Sequence, residues 1–564
     1  MKGLPQRIGA VLASAFGASA VLVACAAADA QAQDASARIA ARFQALVQEE
    51  GLAPDQVALL VLSTRQRRVL VQHRATEPMP AASNTKLVTA YAALRALSPN
   101  FRWRTRISRI AEHDGAAGAG RQGLLIQGAG DPTLTYADLE SWAQRLRLAG
   151  MRQLAGGLYL DERPYGAGGS VPAEFSVEHD PSDLADGAGS PAESDDKPGL
   201  SQPSAFVVER NAPEFLIAVS SSGSAEISSR LPPEIMRIVA HVQPVPKGKS
   251  VLRVNQAWDD TQITFTFAGT VAAGPQAQAV PVPVPIARPT EFFAHMLRAA
   301  LHRHGIEGAL PLRAAVPANA RRELLFSHYS PPLRDAIGPI LRDSDNLAAD
   351  GLVWTLAAQG RPAGKSGPLD AEDGLRWVRR VLQQDFPGVQ NELELSDGSG
   401  LNAGSRITAR ALVRVLHGAL SRPEFGPEFT AALSRAAWDG TLHYRSYPPA
   451  LQGRLRAKTG TLSGVQNLTG VLPLGQDEVV FSFLIAAPGQ SRLKLQGAQD
   501  RIVVALYDLL RKEEILVPES DPLAPKVLAP PAPSPKPGRK KSLAPPPPSP
   551  KPKAGGSTRT TGVG

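Results

Sequence analysis

Hydrophobic and polar positions repeat with two different periods along this chain, and the period changes from segment to segment. Residues 35–51, ASARIAARFQALVQEEG, repeat apolar side chains every three to four positions and end at a glycine, which predicts an amphipathic helix. Residues 56–75 hold two β-rich runs around a polar turn and predict a hairpin. SNTKLVTAYAALRAL then predicts a helix that begins at Ser83 and is apolar on most faces, as buried helices are.

From residue 100 to 289 the pattern becomes strand-like. Runs such as RWRTRISRI, GLLIQGAGDPTL and TQITFTFAG alternate with turns rich in glycine and proline, which predicts a β-rich inserted region. Within it, residues 167–199 are acidic and poor in large apolar side chains. Such a segment buries too little apolar surface to offset its ordering entropy, so a long mobile loop is predicted.

Helical periodicity returns in TEFFAHMLRAALHRHG and continues through PPLRDAIGPILRDSDNLAADGLVWTLAAQG. GRLRAKTGTL, GVQNLTGVLPL and EVVFSFLIAA then predict three consecutive strands, followed by the helix AQDRIVVALYDLLRKE. Hairpin-linked strands closed by a helix indicate an α/β fold in which helices pack on an antiparallel sheet.

Composition adds the class of protein. The chain has 564 residues, too many for one hydrophobic core, and is 43% hydrophobic and 20% charged, as globular proteins are. Its formal charge is +9, but the part from Pro518 onward holds eight Lys/Arg against two Asp/Glu. The body is therefore close to neutral, and no basic stripe with interleaved aromatics indicates a nucleic-acid partner.

The first residues predict an export signal, since a positively charged start precedes a long apolar run. Two processing routes remain open. An A-x-A site predicts cleavage after Ala30, with a signal of residues 1–30, whereas LVAC resembles a bacterial lipobox, with a signal of residues 1–24 and lipid on Cys25. Cys25 is the single cysteine, so it forms no internal disulfide. We expect a periplasmic protein, either soluble or lipid-anchored.

A proline- and lysine-rich tail, residues 517–564, follows the last predicted helix. It contains the repeat LAPPAPSPKP and LAPPPPSPKP, which predicts a disordered, polyproline-like extension. Two interpretations stay open: a solvated tail, or a basic tether to anionic wall polymer or lipid headgroups.

Candidate chemistry begins with serine and lysine three positions apart. Three pairs have this spacing: Ser83/Lys86, Ser194/Lys197 and Ser491/Lys494. Alone, Ser83 is as readily a helix N-cap. Two further motifs follow downstream: Ser344-Asp345-Asn346 and Lys458-Thr459-Gly460-Thr461. Only Ser83 precedes both at the head of an apolar helix, and the ordered set resembles the signature of class A β-lactamases and penicillin-binding proteins.

The residue types suit nucleophilic catalysis. Lys86 lies one turn after Ser83, so a neutral Lys86 can take the proton of the Ser83 hydroxyl. Lowering a lysine pKa from about 10.4 to about 7 costs roughly 4–5 kcal/mol, which desolvation and a second cation, Lys458, can supply. Ser344 is expected to bridge the two lysines and carry the proton toward the leaving amine.

The remaining motif residues are expected to bind substrate. Asn346 would donate a hydrogen bond to a substrate amide, and the strand around Gly460 would align an extended peptide. Lys458 and Thr459 would hold a carboxylate. The backbone N–H groups of Ser83 and Thr461 would form an oxyanion hole.

Competing motifs are weaker. QGRPAGKSG lacks the first glycine of a phosphate-binding loop, and Ser399 in SDGSGLN is no nucleophile elbow because Asp397 stands at the first glycine position. The HRH of residues 302–304 lacks zinc-site spacing. We therefore expect neither a cofactor nor a metal.

Longer strings resemble one family. PMPAASNTKLVTAYAAL, GAGDPTL, LRDSDNLAADGL, LSDGSGLN, WDGTLHYR and GRLRAKTGTLSGVQNLTG look like signatures of the class C low-molecular-mass penicillin-binding proteins of the penicillin-binding protein 4 type, peptidase family S13. The resemblance covers about residues 40–512. The long insertion between the first two motifs matches this family and not class A β-lactamases.

The resemblance implies a serine transpeptidase/β-lactamase-like domain built from residues 34–99 and 290–516, with one or more β-rich domains at 100–289 inserted. It implies a D-Ala-D-Ala carboxypeptidase or D,D-endopeptidase that cleaves peptidoglycan stem peptides through a Ser83 acyl-enzyme and is inhibited covalently by β-lactam antibiotics. In this family the insertion helps read the diamino acid, but the segment 167–199 carries no matching motif.

Two alternatives accompany this interpretation. A serine β-lactamase would need a glutamate-held water for fast deacylation, and no downstream glutamate motif indicates one. A catalytically idle peptidoglycan-binding protein is the second alternative. Burial of the polar side chains of Lys86, Ser344 and Lys458 argues against it, because their desolvation costs free energy and they would have no catalytic role.

Overall fold

The computed structural model describes residues 33–512 except 113–120, 163–173, 180–203, 221–222, 247–249, 273–278, 314, 317–319, 362–368 and 476. The predicted signal, Cys25, the Ser194/Lys197 pair and the tail 517–564 lie outside this part. Within it, no helix has the length and apolar character needed to cross a membrane.

The predicted helical segments are all found, and further helices lie where none was predicted, at residues 136–148, 371–385, 409–420 and 426–431. In chain order the helices are α1 (33–49), α2 (Thr85–Leu97), α3 (Tyr136–Leu148), α4 (Pro289–Arg303), α5 (Leu333–Arg342), α6 (Asn346–Gln359), α7 (Ala371–Asp385), α8 (Ala409–Leu420), α9 (Gly426–Ala431) and α10 (Arg492–Lys512). α3 lies in the region predicted as β-rich, although Thr135 and Asp138 form the capping box that marks its start.

The strands are, in chain order, β1 (Val57–Ser63), β2 (Arg68–His73), β3 (Met79–Pro80), β4 (Arg104–Glu112), β5 (Arg121–Gln127), β6 (Leu158–Asp161), β7 (Glu174–His179), β8 (Glu214–Val219), β9 (Ala225–Ser229), β10 (Met236–Val245), β11 (Ser250–Trp258), β12 (Ile263–Ala272), β13 (Val280–Pro283), β14 (Leu312–Arg313), β15 (Arg321–Tyr329), β16 (Leu393–Glu394), β17 (Arg406–Ile407), β18 (Ser434–Arg435), β19 (Arg456–Leu462), β20 (Val465–Leu474) and β21 (Asp477–Ala486). β7 falls within the predicted loop 167–199 and pairs antiparallel with β11, so that part of the segment is a strand.

A six-stranded antiparallel sheet positions the candidate site. Its order is β18-β19-β20-β21-β1-β2, so β1 of the N-terminal hairpin pairs with β21, more than 400 residues later. Alternate side chains of β21 enter opposite layers: Phe481 and Phe483 pack with α1 and α10, whereas Val480 and Leu484 pack with α2 and α8. This period of two gives the sheet a helical layer on each face.

The inserted region has its own apolar cluster. It is built around the sheets β14-β6-β5-β4-β15, β10-β12-β11-β7 and β13-β8-β9. Helix α4 packs in this cluster, and β14 and β15 are the edge strands of its five-stranded sheet. The sequence had predicted these three elements as part of the catalytic segment 290–516. Sheet pairing in the inserted region therefore extends past residue 290 to β15, and Ala357 of α6 also packs in its apolar cluster. The domain boundary at residue 290 stays a prediction.

Candidate active site

Ser83 lies in a short 3-10 turn, Ala82–Asn84, and α2 begins at Thr85. The prediction that the helix begins at Ser83 is therefore early by two residues, and no side-chain cap is formed at Asn84. Ala82 holds φ = 46°, a left-handed conformation that costs a non-glycine residue about 1–3 kcal/mol. The surrounding contacts thus fix a strained turn that presents Ser83.

Lys86 lies in the first turn of α2 and is completely buried. Its Nζ lies 2.8 Å from Ser83 Oγ, 2.8 Å from the backbone oxygen of Ser399 and 2.5 Å from Asn346 Oδ1. A neutral amine has two N–H donors and one lone pair. If Asn346 and Ser399 accept the two donors, the lone pair can accept the proton of the Ser83 hydroxyl.

The Ser344–Asn346 turn joins α5 to α6. Ser344 has φ = 62°, a second strained backbone position at the site. Asp345 caps α6, because its side chain accepts from the backbone N–H of Ala348. The turn therefore places Ser344 and Asn346 beside different lysines.

Lys458 is completely buried on β19, where its Nζ donates to Ser344 Oγ at 2.9 Å and to the backbone oxygen of Thr459 at 2.8 Å. Lys86 contacts the other end of the same turn, at Asn346. One turn thus joins the two lysines, and the direct bridge from Ser344 to Lys86 stays a prediction.

The edge of β19 faces the site. β18 pairs only with Arg456 and Ala457, so the described ladder on this edge stops just before Lys458. Thr459 Oγ1 donates to Thr441 Oγ1 at 2.7 Å, and Thr461 Oγ1 donates to Gln466 Oε1 at 3.2 Å. An edge of this kind can accept an extended peptide as an additional strand.

Two glycines permit the close approach of these elements. A Cβ at Gly460 would lie 3.0 Å from the backbone oxygen of Ala81, so glycine lets β19 pack against the Ser83 turn. Gly400 has φ = 77°, and a Cβ there would lie 1.8 Å from the backbone oxygen of Ala82. Gly400 therefore lets the loop that carries the Ser399 carbonyl reach Lys86.

Sequence reasoning missed part of this loop. The sequence predicts no catalytic role for Ser399, yet its backbone oxygen accepts a hydrogen bond from Lys86 Nζ. Asp350 Oδ1 accepts from the backbone N–H groups of Gly398 and Ser399, both at 2.9 Å, and so fixes the loop to α6. The string LSDGSGLN was a usable signal for the loop, whereas nothing in the sequence marks Asp350.

The second described Ser-x-x-Lys pair has a different geometry. The Nζ of Lys494 donates to Gln490 Oε1 at 2.9 Å in an exposed position, and its backbone N–H donates to Ser491 Oγ at 3.4 Å. Ser491 therefore interacts with the start of α10 as a cap would.

The family model of the D-Ala-D-Ala carboxypeptidase 3 (S13) family matches residues 39–508. The chain belongs to this family. The D-alanyl-D-alanine carboxypeptidase of Actinomadura sp. (strain R39) is 28% identical over 483 residues, which span 83% of this chain and 84% of the relative. DacB of Haemophilus influenzae is 24% identical over 475 residues, or 80% and 90% of the two chains.

Among solved structures, penicillin binding protein 4 of Haemophilus influenzae superposes with a TM-score of 0.61 at 20% identity, covering 82% of this chain and 99% of that one. This likeness shows the fold. The predictions of an α/β fold with helices on an antiparallel sheet, of the S13 family and of a serine-type D-Ala-D-Ala carboxypeptidase are confirmed.

Proposed function

We propose that this enzyme hydrolyses the D-Ala-D-Ala end of peptidoglycan stem peptides, and the corresponding D,D cross-links, through an acyl-enzyme on Ser83. The observation that carries the proposal is the contact of 2.8 Å between Lys86 Nζ and Ser83 Oγ, made by a completely buried lysine. Burying an amine costs desolvation free energy, and a role for Lys86 in proton transfer would explain why the protein buries it.

In acylation, Lys86 takes the Ser83 proton while Ser83 Oγ attacks the carbonyl carbon of the penultimate D-Ala. Ser344, held by Lys458, then relays this proton from Lys86 to the departing amine of the terminal D-Ala, so that Lys86 and Ser344 both return to their starting protonation states. Water then hydrolyses the ester and restores Ser83. The hydroxyls of Ser83 and Ser344 are each hydrogen-bonded to a completely buried lysine, which supports this sequence of steps.

Substrate binding is assigned to the edge of β19 and to Asn346. We assign Lys458 and Thr459 to the terminal carboxylate, and Gly460 and Thr461 to the peptide backbone. Asn346 Oδ1 accepts from Lys86, and the donor end of the same side chain, its amide nitrogen, is assigned to a substrate carbonyl. The backbone N–H groups of Ser83 and Thr461 form the proposed oxyanion hole.

β-Lactam antibiotics are proposed to acylate the same serine. Penicillin binding protein 4 of Haemophilus influenzae has been solved in complex with a β-lactam, at a TM-score of 0.58 to this chain. A β-lactam places a strained amide where the peptide bond would lie, and its ester with Ser83 persists if water reaches it slowly.

Fluorescent penicillin tests the nucleophile. Ser83→Ala is expected to abolish covalent labelling, because no other group supplies the acylated oxygen, whereas the matched control Ser491→Ala keeps it. Labelling that survives Ser83→Ala would overturn the assignment. Sustained nitrocefin turnover, rather than a single stoichiometric burst, would favour the β-lactamase alternative.

Mass analysis of purified muropeptides separates the two peptidase activities. Loss of terminal D-Ala from monomers reports carboxypeptidase action, and conversion of dimers to monomers reports endopeptidase action. Both products are expected from the wild-type enzyme and neither from Ser83→Ala. An unchanged muropeptide profile with the wild-type enzyme would contradict the proposed substrate.

We further propose a periplasmic enzyme, exported by the signal at its N-terminus and held near the membrane or wall by lipid on Cys25 or by the basic tail. Support comes from the sequence of the first 30 residues and of the tail. Palmitate labelling that disappears in Cys25→Ala would support the anchor. Absence of label in the wild-type chain would instead favour cleavage after Ala30.

A further inference from the structure

One side chain of the inserted region reaches the Ser344–Asn346 turn. Arg210 Nε lies 2.7 Å from Asp345 Oδ2. The Asp345 side chain is only 6% exposed, whereas that of Arg210 is 54% exposed. A carboxylate buried to this degree is costly without a charged partner. Arg210 is such a partner, and it lies more than 130 residues from Asp345 in the chain.

The backbone that carries Arg210 is unusual. Glu209, Arg210 and Asn211 all have positive φ, at 50°, 57° and 47°. Left-handed backbone costs each non-glycine residue about 1–2 kcal/mol, so three in succession persist only where other contacts impose them. The segment is therefore held in one conformation by its surroundings.

Those contacts are local and well defined. Glu209 Oε1 accepts from the backbone N–H of Tyr136 at 2.7 Å, and the buried Asn211 accepts from Val208 N–H and donates to the Phe206 carbonyl. Both neighbours of Arg210 are thus bonded into the inserted region. Arg210 is presented from a rigid support, as a residue that positions another group needs to be.

Asp345 transmits the contact to the site. Its neighbours in the chain are Ser344, which accepts from Lys458, and Asn346, which accepts from Lys86. Its Oδ1 caps α6 at Ala348, and its Oδ2 is held by Arg210. Asp345 is thus held at both oxygens, by α6 at one and by Arg210 of the inserted region at the other.

We infer that Arg210 is a positioning residue for acylation: its ion pair with Asp345 holds the turn on which Ser344 and Asn346 meet the two lysines. The inference rests on the proposed function of that site. It gives the inserted region a role in the chemistry in addition to any role in substrate selection.

The test compares single-turnover acylation by penicillin in Arg210→Gln, Asp345→Asn and the double variant. Asparagine keeps the helix cap but loses the charge. Small displacements of catalytic groups cost rates on the order of 10- to 100-fold, so each single variant is expected to acylate at least about tenfold more slowly. The loss should lie in the acylation rate constant at saturating penicillin, with little change in the dissociation constant.

Coupling between the two residues decides the inference. The double variant is expected to be about as slow as the slower single variant, since both changes break one interaction. Rates that multiply, or an Arg210→Gln rate within about twofold of the wild type, would overturn it. Rates are referred to titrated active sites, so that a loss of folded protein does not count as slower acylation.

Two controls complete the design. Arg210→Lys keeps a cation and should recover part of the lost rate, whereas a lysine variant no faster than Arg210→Gln would contradict the ion pair. Arg237→Gln removes an exposed arginine of β10 in the same region and should acylate normally. If Ser83→Ala still labels, the proposed function fails; if only the Arg210 prediction fails, Ser83 keeps its role.

Discussion

At the scale of single residues, the site holds two lysines with no exposed surface, Lys86 and Lys458. Burial disfavours a charged ammonium, while the oxygen acceptors around each Nζ stabilise it. The expectation that Lys86 is neutral stays a prediction. Among the contacts described here for Lys86 Nζ, the Ser83 hydroxyl can give it a proton, whereas the oxygens of Asn346 and Ser399 only accept.

Glu162 gives a pH prediction for the inserted region. Burial raises the pKa of its carboxyl to about 7, and the nearby Glu291 carboxylate adds to the rise. The folded pKa lies above the ordinary value of 4.5, so the folded protein retains a proton that the unfolded chain releases. This contribution to stability is present below pH 4.5 and is lost as the pH rises through about 7.

Glu162→Gln is therefore expected to reduce the fall in melting temperature of the inserted region between acidic and mildly alkaline pH, measured by thermal denaturation. The exposed Glu214 of β8 offers the control, since Glu214→Gln should leave that fall unchanged. An equal fall in the wild type and Glu162→Gln would contradict the prediction.

At the scale of elements, α10 is fixed to the catalytic part by a buried polar cluster. Asp500 Oδ1 accepts from the Arg445 guanidinium at 3.0 Å and from the Tyr447 hydroxyl at 2.6 Å. Next to Asp500, Gln499 accepts from Arg445 and donates to the backbone oxygen of Gln466 on β20. The cluster therefore ties the C-terminal helix to the sheet that carries Lys458.

Asp500→Ala is expected to destabilise the fold by about 3–5 kcal/mol, because it leaves the Arg445 charge buried without its carboxylate. Asp508→Ala, on the exposed face of the same helix, should change stability by less than about 0.5 kcal/mol. The measurement is the urea concentration at which half of the penicillin labelling is lost. Equal midpoints for the two variants would show that the cluster contributes little.

At the scale of the whole molecule, the apolar core is divided. Two clusters flank the six-stranded sheet, and a third lies among the inserted sheets together with α3 and α4. We propose that the chain folds as a catalytic domain, formed by residues on both sides of the insertion, and an inserted β-rich domain that extends to Tyr329. The proposal moves the predicted boundary at residue 290 to the end of β15.

Calorimetry tests this division. Two thermal transitions are expected, and covalent penicillin should raise only that of the catalytic domain. Phe265→Ala removes a ring whose centroid lies 4.8 Å from that of Phe215. It should lower the transition temperature of the inserted domain, since such core truncations cost about 3–5 kcal/mol. Phe483→Ala on β21 is the matched change in the catalytic core. A single transition lowered by both variants would contradict the division.

Much of the fold was available from local sequence. The hairpin β1–β2, the buried α2 and the run of β19, β20 and β21 before α10 were predicted because the period of apolar residues and the turns between them are local signals. The capped helix α3 and the strand β7 were missed. β7 forms by pairing with β11, about 75 residues later, in a segment whose own composition indicated a loop.

The site divides in the same way. The sequence by itself determined the candidate set Ser83, Lys86, Ser344, Asn346 and Lys458, because it shows directly which side chains occur and in which order. Only the tertiary structure decided that the Ser399 carbonyl faces Lys86, that Asp350 fixes its loop and that Arg210 meets Asp345. Every residue carries a backbone oxygen, so the residue type does not show which one contacts Lys86. A contact between distant segments forms only when packing places those segments side by side.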